Sequence, residues 1–112
     1  MREIKFRVWD KLGERMEQVE DDWEFFSIKA CSKNVFQAMQ YTGLKDNNGK
    51  DIYEGDILAR FNGDKGEVLW YGKNARWSVK SDGYPKAIYK WSENKGTKVI
   101  GNIYENPELL TK

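Results

Sequence analysis

The chain has no histidine and a single cysteine in 112 residues. Without imidazole there is no Ser-His-Asp triad, no Cys-His pair and no histidine zinc site. Nor is there a side chain that titrates near neutral pH without being perturbed. Cys31 has no second thiol to pair with, which excludes an internal disulfide and fits a reducing compartment. Lys29 and Lys33 flank it, but no histidine can activate it, so its default role is a small semi-buried apolar group. Long apolar runs are missing as well. The chain opens on charge, and no stretch approaches membrane-spanning length. Net charge is +1, so no overall field draws the chain to nucleic acid or an anionic membrane. A cytosolic protein fits all of these absences.

Aromatic residues are plentiful. Five Trp, five Phe and six Tyr make up 14% of the chain, enough area per residue for a core beside 33% charged residues. The length suits one domain, or two small lobes sharing a core.

Helical periodicity is nearly absent, whereas alternation is common. Ile4-Lys5-Phe6-Arg7-Val8 alternates apolar and charged, the pattern of a half-buried strand with its charges outward. Asp10-Lys11-Leu12-Gly13 is a turn, after which residues 16–19 can return antiparallel. Trp23, Phe25 and Ile28 suggest another strand. Residues 35–41 favour strand, with a short helix as the rival. From Asp56 onward, candidate strands at 57–61, 67–71, 76–80, 87–91 and 98–103 are separated by Gly-, Asn- and Asp-rich clusters. Five short strands at this spacing predict a mainly β protein with a small SH3-like barrel over about 56–103. An N-terminal β subdomain would fill residues 1–55, and a tail would follow the barrel to residue 112. On strict alternation Trp70 joins Val68 and Trp77 joins Val79, so both tryptophans are expected to face inward. Asn106 can cap one helical turn with Pro107 at its first position.

No catalytic or metal-ligating set is assigned, and no cofactor is expected. Asp46-Asn47-Asn48-Gly49-Lys50 differs from a calcium loop, which needs glycine sixth; here glycine is fourth and Lys50 fifth. It reads as a tight reversal. Gly43 to Lys50 fails as a phosphate loop: five residues, not four, separate the glycines, and Asp51 replaces the hydroxyl residue. The acidic run Glu17, Glu20, Asp21, Asp22 and Glu24 reads as a solvated loop. Gly55-Asp56 reads as a turn whose aspartate accepts backbone N–H bonds.

One surface carries a candidate function. Residues 60–98 hold nine basic residues against four acidic ones, interleaved with aromatics. Tyr71, Lys73, Arg76, Lys80, Tyr84, Lys86, Tyr89 and Lys90 form a candidate nucleic-acid surface, with rings to stack on bases and cations to meet phosphates. The competing assignment is a tryptophan core decorated with solubilising lysines. The halves differ in charge, −2 over residues 1–55 and +3 over 56–112. That asymmetry offers complementary faces for self-association.

Three phrases stand out: an opening MREIKFRVWD, a centre QYTGLKDNNGKDIYEGDIL and a close IGNIYENPELL. Together they span about a third of the chain and resemble the YopX family, small proteins of phages and prophages in Gram-positive bacteria. Ile4, Phe6 and Trp9 match its opening strand. Gly43, Gly49, Tyr53, Gly55 and Asp56 match its centre, and Gly101, Asn102 and Tyr104 its close. The family has no established catalytic residues, so what the resemblance implies for these positions is scaffold. It also implies expression in a bacterial host, hence the host cytoplasm, with virion association as the other implied setting. The basic-aromatic surface lies outside these phrases. The expectation is a phage or prophage protein of no established role. It would act as a non-enzymatic interaction module that binds a host or phage protein. The alternative is a weak accessory protein for single-stranded nucleic acid.

Overall fold

The Asp10 carboxylate sets the first hairpin. Its Oδ1 accepts the N–H groups of Leu12 and Gly13, closing a tight turn between β1 (Phe6–Asp10) and β2 (Arg15–Val19). The computed structural model describes residues 4–19, 35–60, 63–81, 85–88, 91 and 96–110. The strand expected at Trp23, Phe25 and Ile28, the acidic run over 20–24 and Cys31 lie outside these residues. The segment read as strand or helix is strand: β3 (Phe36–Lys45) pairs antiparallel to β1, with Val8 opposite Ala38. The Asp46 turn reverses the chain into β4 (Asp51–Tyr53), completing a four-stranded sheet of order β2-β1-β3-β4.

The second sheet follows at once. It contains β5 (Asp56–Ala59), β6 (Lys65–Tyr71), β7 (Arg76–Lys80), β8 (Lys86–Ala87) and β9 (Lys98–Asn102), in the order β8-β7-β6-β5-β9. The protein is mainly β, but the expected closed SH3-like barrel is not what these strands make. They form an open sheet with β8 and β9 at opposite edges. The difference begins after Ala87. A strand over 87–91 would turn Ile88 away from the side that takes Trp91. Instead both residues are helical in conformation and both are buried, at 6% and 2% exposure. Their separation of three residues suits a helical turn that drops both into the core.

That core contains Ile52, Leu58, Val68, Val79, Ile88 and Trp91, with Leu44, Trp77 and Val99 packed against it. Ile52 and Leu44 come from the first sheet, so one hydrophobic core spans the line at residue 55. Main-chain bonds cross the same line: the Gly55 N–H donates to Val68 O, and the Ile103 N–H donates to Gly55 O. A 3₁₀ turn over Pro107–Leu110 follows β9, as the Asn-Pro pair suggested. The Asn106 carbonyl accepts the Leu109 N–H, while its side-chain oxygen reaches back to the Asn102 N–H.

Two side-chain expectations also change. The outward charge expected at Arg7 is buried, while Ile4 is exposed. Trp70 shares the face of Val68 but is 48% exposed. Val68 pairs with Val79 over the core, whereas the next pair on that face, Trp70 with Trp77, lies farther toward the β6–β7 turn. Trp77 still reaches the core, and Trp70 lies on the far side of it.

If Ile88 is a core residue rather than an outward strand position, Ile88→Ala should lower stability by about 2–4 kcal/mol in urea unfolding. A loss under about 0.5 kcal/mol, the level of an ordinary surface substitution, would contradict the helical placement.

Candidate interaction surface around Arg7, Asp56 and Trp70

The centre of the molecule is a buried ion pair. Arg7 Nη2 on β1 meets Asp56 Oδ1 on β5 at 2.6 Å, and both residues are almost fully buried. Asp56 Oδ2 accepts the Tyr53 N–H at 2.8 Å, and Arg7 Nη2 also donates to Glu54 O. The guanidinium stands 4.7 Å from the centre of the Tyr53 ring. Burial pushes the Asp56 carboxyl above the usual carboxylate range, with the Arg7 charge and the Tyr53 amide opposing that rise. Burial likewise raises the Tyr53 phenol, whose hydroxyl donates to Gln18 Oε1. The carboxylate thus has each oxygen engaged from within the fold, an arrangement suited to fixing strands rather than to moving protons.

The other signature residues shape turns and close packing. Gly43, Gly49 and Gly55 all have positive φ, at 89°, 82° and 86°. Gly55 is also closely packed. A Cβ there would meet Met39 Sδ at 3.0 Å, in a backbone conformation that side chains already disfavour. Asn102 Oδ1 accepts the N–H groups of Tyr104 and Glu105, folding the chain back after β9. Tyr104 then stacks on Trp9 with ring centres 5.7 Å apart. A Cβ at Gly101 would approach Asn106 Oδ1 to 2.5 Å, so the same turn also excludes a side chain.

Asp46 ties the β3–β4 turn to the second sheet. Its Oδ1 accepts N–H bonds from Asn48 and Lys50, and its Oδ2 accepts one from Val99 on β9. Partial burial alone would raise this carboxyl. The three amides outweigh that and hold it below the usual range.

The candidate nucleic-acid residues are only partly brought together. Tyr71 is half-buried and pairs across the hairpin with Arg76, which is exposed. Lys80 lies on the same face, opposite Glu67. Lys73 sits in the β6–β7 turn, and Lys86 pairs with Val79 on the opposite face. Tyr84, Tyr89 and Lys90 lie outside the described residues.

A feature that alternation hid lies beside this hairpin. Trp70, Trp77, Gln40 and Glu54 line a shallow notch of about 310 Å³. The two indoles meet edge to face at 5.3 Å, and Trp77 Nε1 is buried without an acceptor among the described residues. Glu54 is held by its main chain: its N–H donates to Gln40 O, and its carbonyl accepts from Arg7. Burial raises the Glu67 carboxyl; Lys80 opposes this and the Glu54 charge adds to it, so two carboxylates share the region. The expectation that Trp70 faces inward leaves the notch invisible in sequence.

The YopX protein family matches residues 5–111, nearly the whole chain and not only the three phrases. The chain belongs to the YopX family. Its fold is similar to the crystal structure of protein EF1440 from Enterococcus faecalis. The TM-score is 0.70 at 26% sequence identity, over 98% of this chain and 99% of that one. No curated protein matches it. Among the described residues of this YopX protein, no group of three or more Cys, Asp or Glu side chains is arranged to hold a metal ion. No helix among them is long and apolar enough to cross a membrane.

Removing one partner of the central pair should be costly. Arg7→Met is expected to lower stability by about 3–5 kcal/mol in denaturant unfolding, because it strands a buried carboxylate. A loss below about 1 kcal/mol, typical of an exposed pair, would show that the pair is dispensable.

Asp46 should contribute through acid sensitivity. Its folded-state pKa lies below the unfolded value, so its contribution is present above about pH 4 and lost as pH falls through the folded value. Asp46→Asn is expected to be less stable than wild type by roughly 1–2 kcal/mol near neutral pH, having lost charge-assisted amide bonds. The gap should narrow below about pH 4 in thermal melts across pH. A gap that stays constant down to pH 2 would contradict this account.

Proposed function

We propose that this YopX protein is a non-enzymatic interaction module that binds a host or phage protein. The observation that carries the reading is Trp70, a large half-exposed ring in a notch it shares with Glu54, whose main chain is fixed by the scaffold. Exposed tryptophans in formed depressions are the side chains around which protein interfaces concentrate their binding energy. Non-enzymatic action fits the internal use of the signature carboxylates: Asp56 and Asp46 each have both oxygens engaged by the fold. The reading assigns the protein's action to the cytoplasm of a bacterial host, in keeping with the family's phage and prophage setting. Opposite charge on the two halves also supports contact between copies of the chain.

The second reading, weak binding of single-stranded nucleic acid, is favoured by Arg76 and Lys80 flanking Tyr71 on one face of the β6–β7 hairpin. It has less support. Lys86 faces the other way, and the exposed tryptophan lies beside Glu54 rather than a lysine. A pull-down from host lysate, with and without nuclease, separates the two. The interaction module should retain a defined host protein after nuclease treatment. Capture that disappears with nuclease, together with anisotropy showing oligonucleotide binding at about 100 μM protein in low salt, would favour the second reading instead.

A further inference from the structure

Among the described residues, three rings already carry a cation from the protein itself. Lys5 Nζ lies 4.6 Å from the centre of Tyr41, Arg7 lies 4.7 Å from Tyr53, and Arg60 lies 4.0 Å from Trp91. Trp70 is the most exposed of the large rings among the described residues, and none of these residues places a cation over it. The acid next to it is also uncommitted. Glu54 Oε1 accepts a long bond from the Gln40 N–H at 3.4 Å, and its carboxylate makes no ion pair among the described residues. The backbone of Glu54 is nonetheless fixed on both sides, by Gln40 O and by Arg7. A carboxylate whose backbone is held beside an exposed indole needs less ordering to receive a cation.

Resting on the interaction-module reading, we propose that the notch of Trp70, Trp77, Gln40 and Glu54 is a docking site for an arginine side chain presented by a protein partner. The guanidinium lies on the Trp70 ring and pairs with the Glu54 carboxylate. Arginine fits better than lysine because its planar, weakly hydrated head stacks on an indole and meets a carboxylate through two parallel N–H bonds. The charge around the notch points the same way. Among the described residues that line it, the only charge is that of Glu54, which attracts a cation and repels a phosphate chain. The notch therefore selects a basic protein segment and disfavours nucleic acid on this face. Arg76 and Lys80 lie on the opposite face of the same hairpin, so their charge does not fill the site.

The test follows the indole N–H resonances of the full chain by NMR while an acetylated, amidated Gly-Arg-Gly peptide is added. Saturable shifts of the Trp70 and Trp77 resonances are expected, the latter reporting the indole N–H that is closed off from solvent. A Gly-citrulline-Gly peptide, isosteric but uncharged, should shift them far less. Trp70→Ala should weaken binding by roughly 3–10-fold, the range of a partly exposed cation–π contact. Glu54→Gln, which leaves the main-chain bonds of residue 54 in place, should weaken it by roughly 2–5-fold, as for an exposed ion pair. The proposal is overturned by any of four results. These are no shift of either indole resonance up to about 100 mM, where a contact of roughly 2 kcal/mol is mostly occupied; equal shifts with the citrulline peptide; equal binding of a lysine peptide; or an unchanged Glu54→Gln chain. Shifts of the same indoles by oligothymidine would overturn it in favour of nucleic acid. If Trp70→Ala still retains a nuclease-resistant host protein, the interaction-module reading survives and the notch is removed from it.

Discussion

The buried contact between Arg7 and Asp56 is the constraint on which the arrangement of the two sheets depends. Taking two charges out of water costs several kcal/mol per ion, and their attraction alone offsets this only with good geometry and further hydrogen bonds. Here the further bonds come from the chain that joins the sheets. The Tyr53 N–H reaches the carboxylate, the Glu54 carbonyl reaches the guanidinium, and the Tyr53 ring covers it. The first strand is thereby referenced to the first residue of the second sheet, and the connection between the sheets is held in one conformation. Gly55 allows that conformation: its positive φ lets the chain turn between Glu54 and Asp56 while its N–H and carbonyl bond to Val68 and Ile103.

Much of the fold was legible because short-range chemistry decides it. The Asp10 turn, the Asp46 reversal and the Asn-Pro start of the last turn are set by side chains that hydrogen-bond within a few residues. Strand existence followed from alternation, and positions 76–80 agreed to the residue. What escaped was non-local. Arg7 alternates with apolar neighbours as a surface residue would, and nothing near it signals an aspartate 49 positions away. Trp70 obeys the parity of its strand but lies beyond the edge of the core, and parity carries no information about where a core ends. Ile88 and Trp91 have a three-residue spacing that was outweighed by the regular rhythm of the preceding strands.

The candidate surfaces show the same division. The basic and aromatic residues of the second half were visible as composition, yet cross-strand register distributes them over two faces. The notch at Trp70 needs one residue from β3, one from the link between the sheets and two from the β6–β7 hairpin. No linear phrase contains it. The family signature supplies its rigidity instead: Glu54, within the phrase that marks the family, is fixed by the same Arg7 that closes the ion pair. The scaffold and a candidate contact surface thus meet at one residue.

The pairing of β5 with both β6 and β9 has a consequence for how the chain acquires its structure. β6 follows β5 within a few residues, but β9 does not exist until residue 102, with Asp56 facing Asn102. The Asp46 carboxylate waits just as long for the Val99 amide. Contacts at such separation carry a large loop-closure entropy before they return any stabilisation, so folding should be slow relative to helical proteins of this size. During synthesis, the core around Ile52 and Leu58 lacks Val99 until nearly the whole chain has emerged. Until then one side of β5 presents unpaired backbone groups to whatever else is nearby. A protein arranged in this way becomes native late and all at once, with its last strand acting as the closing step.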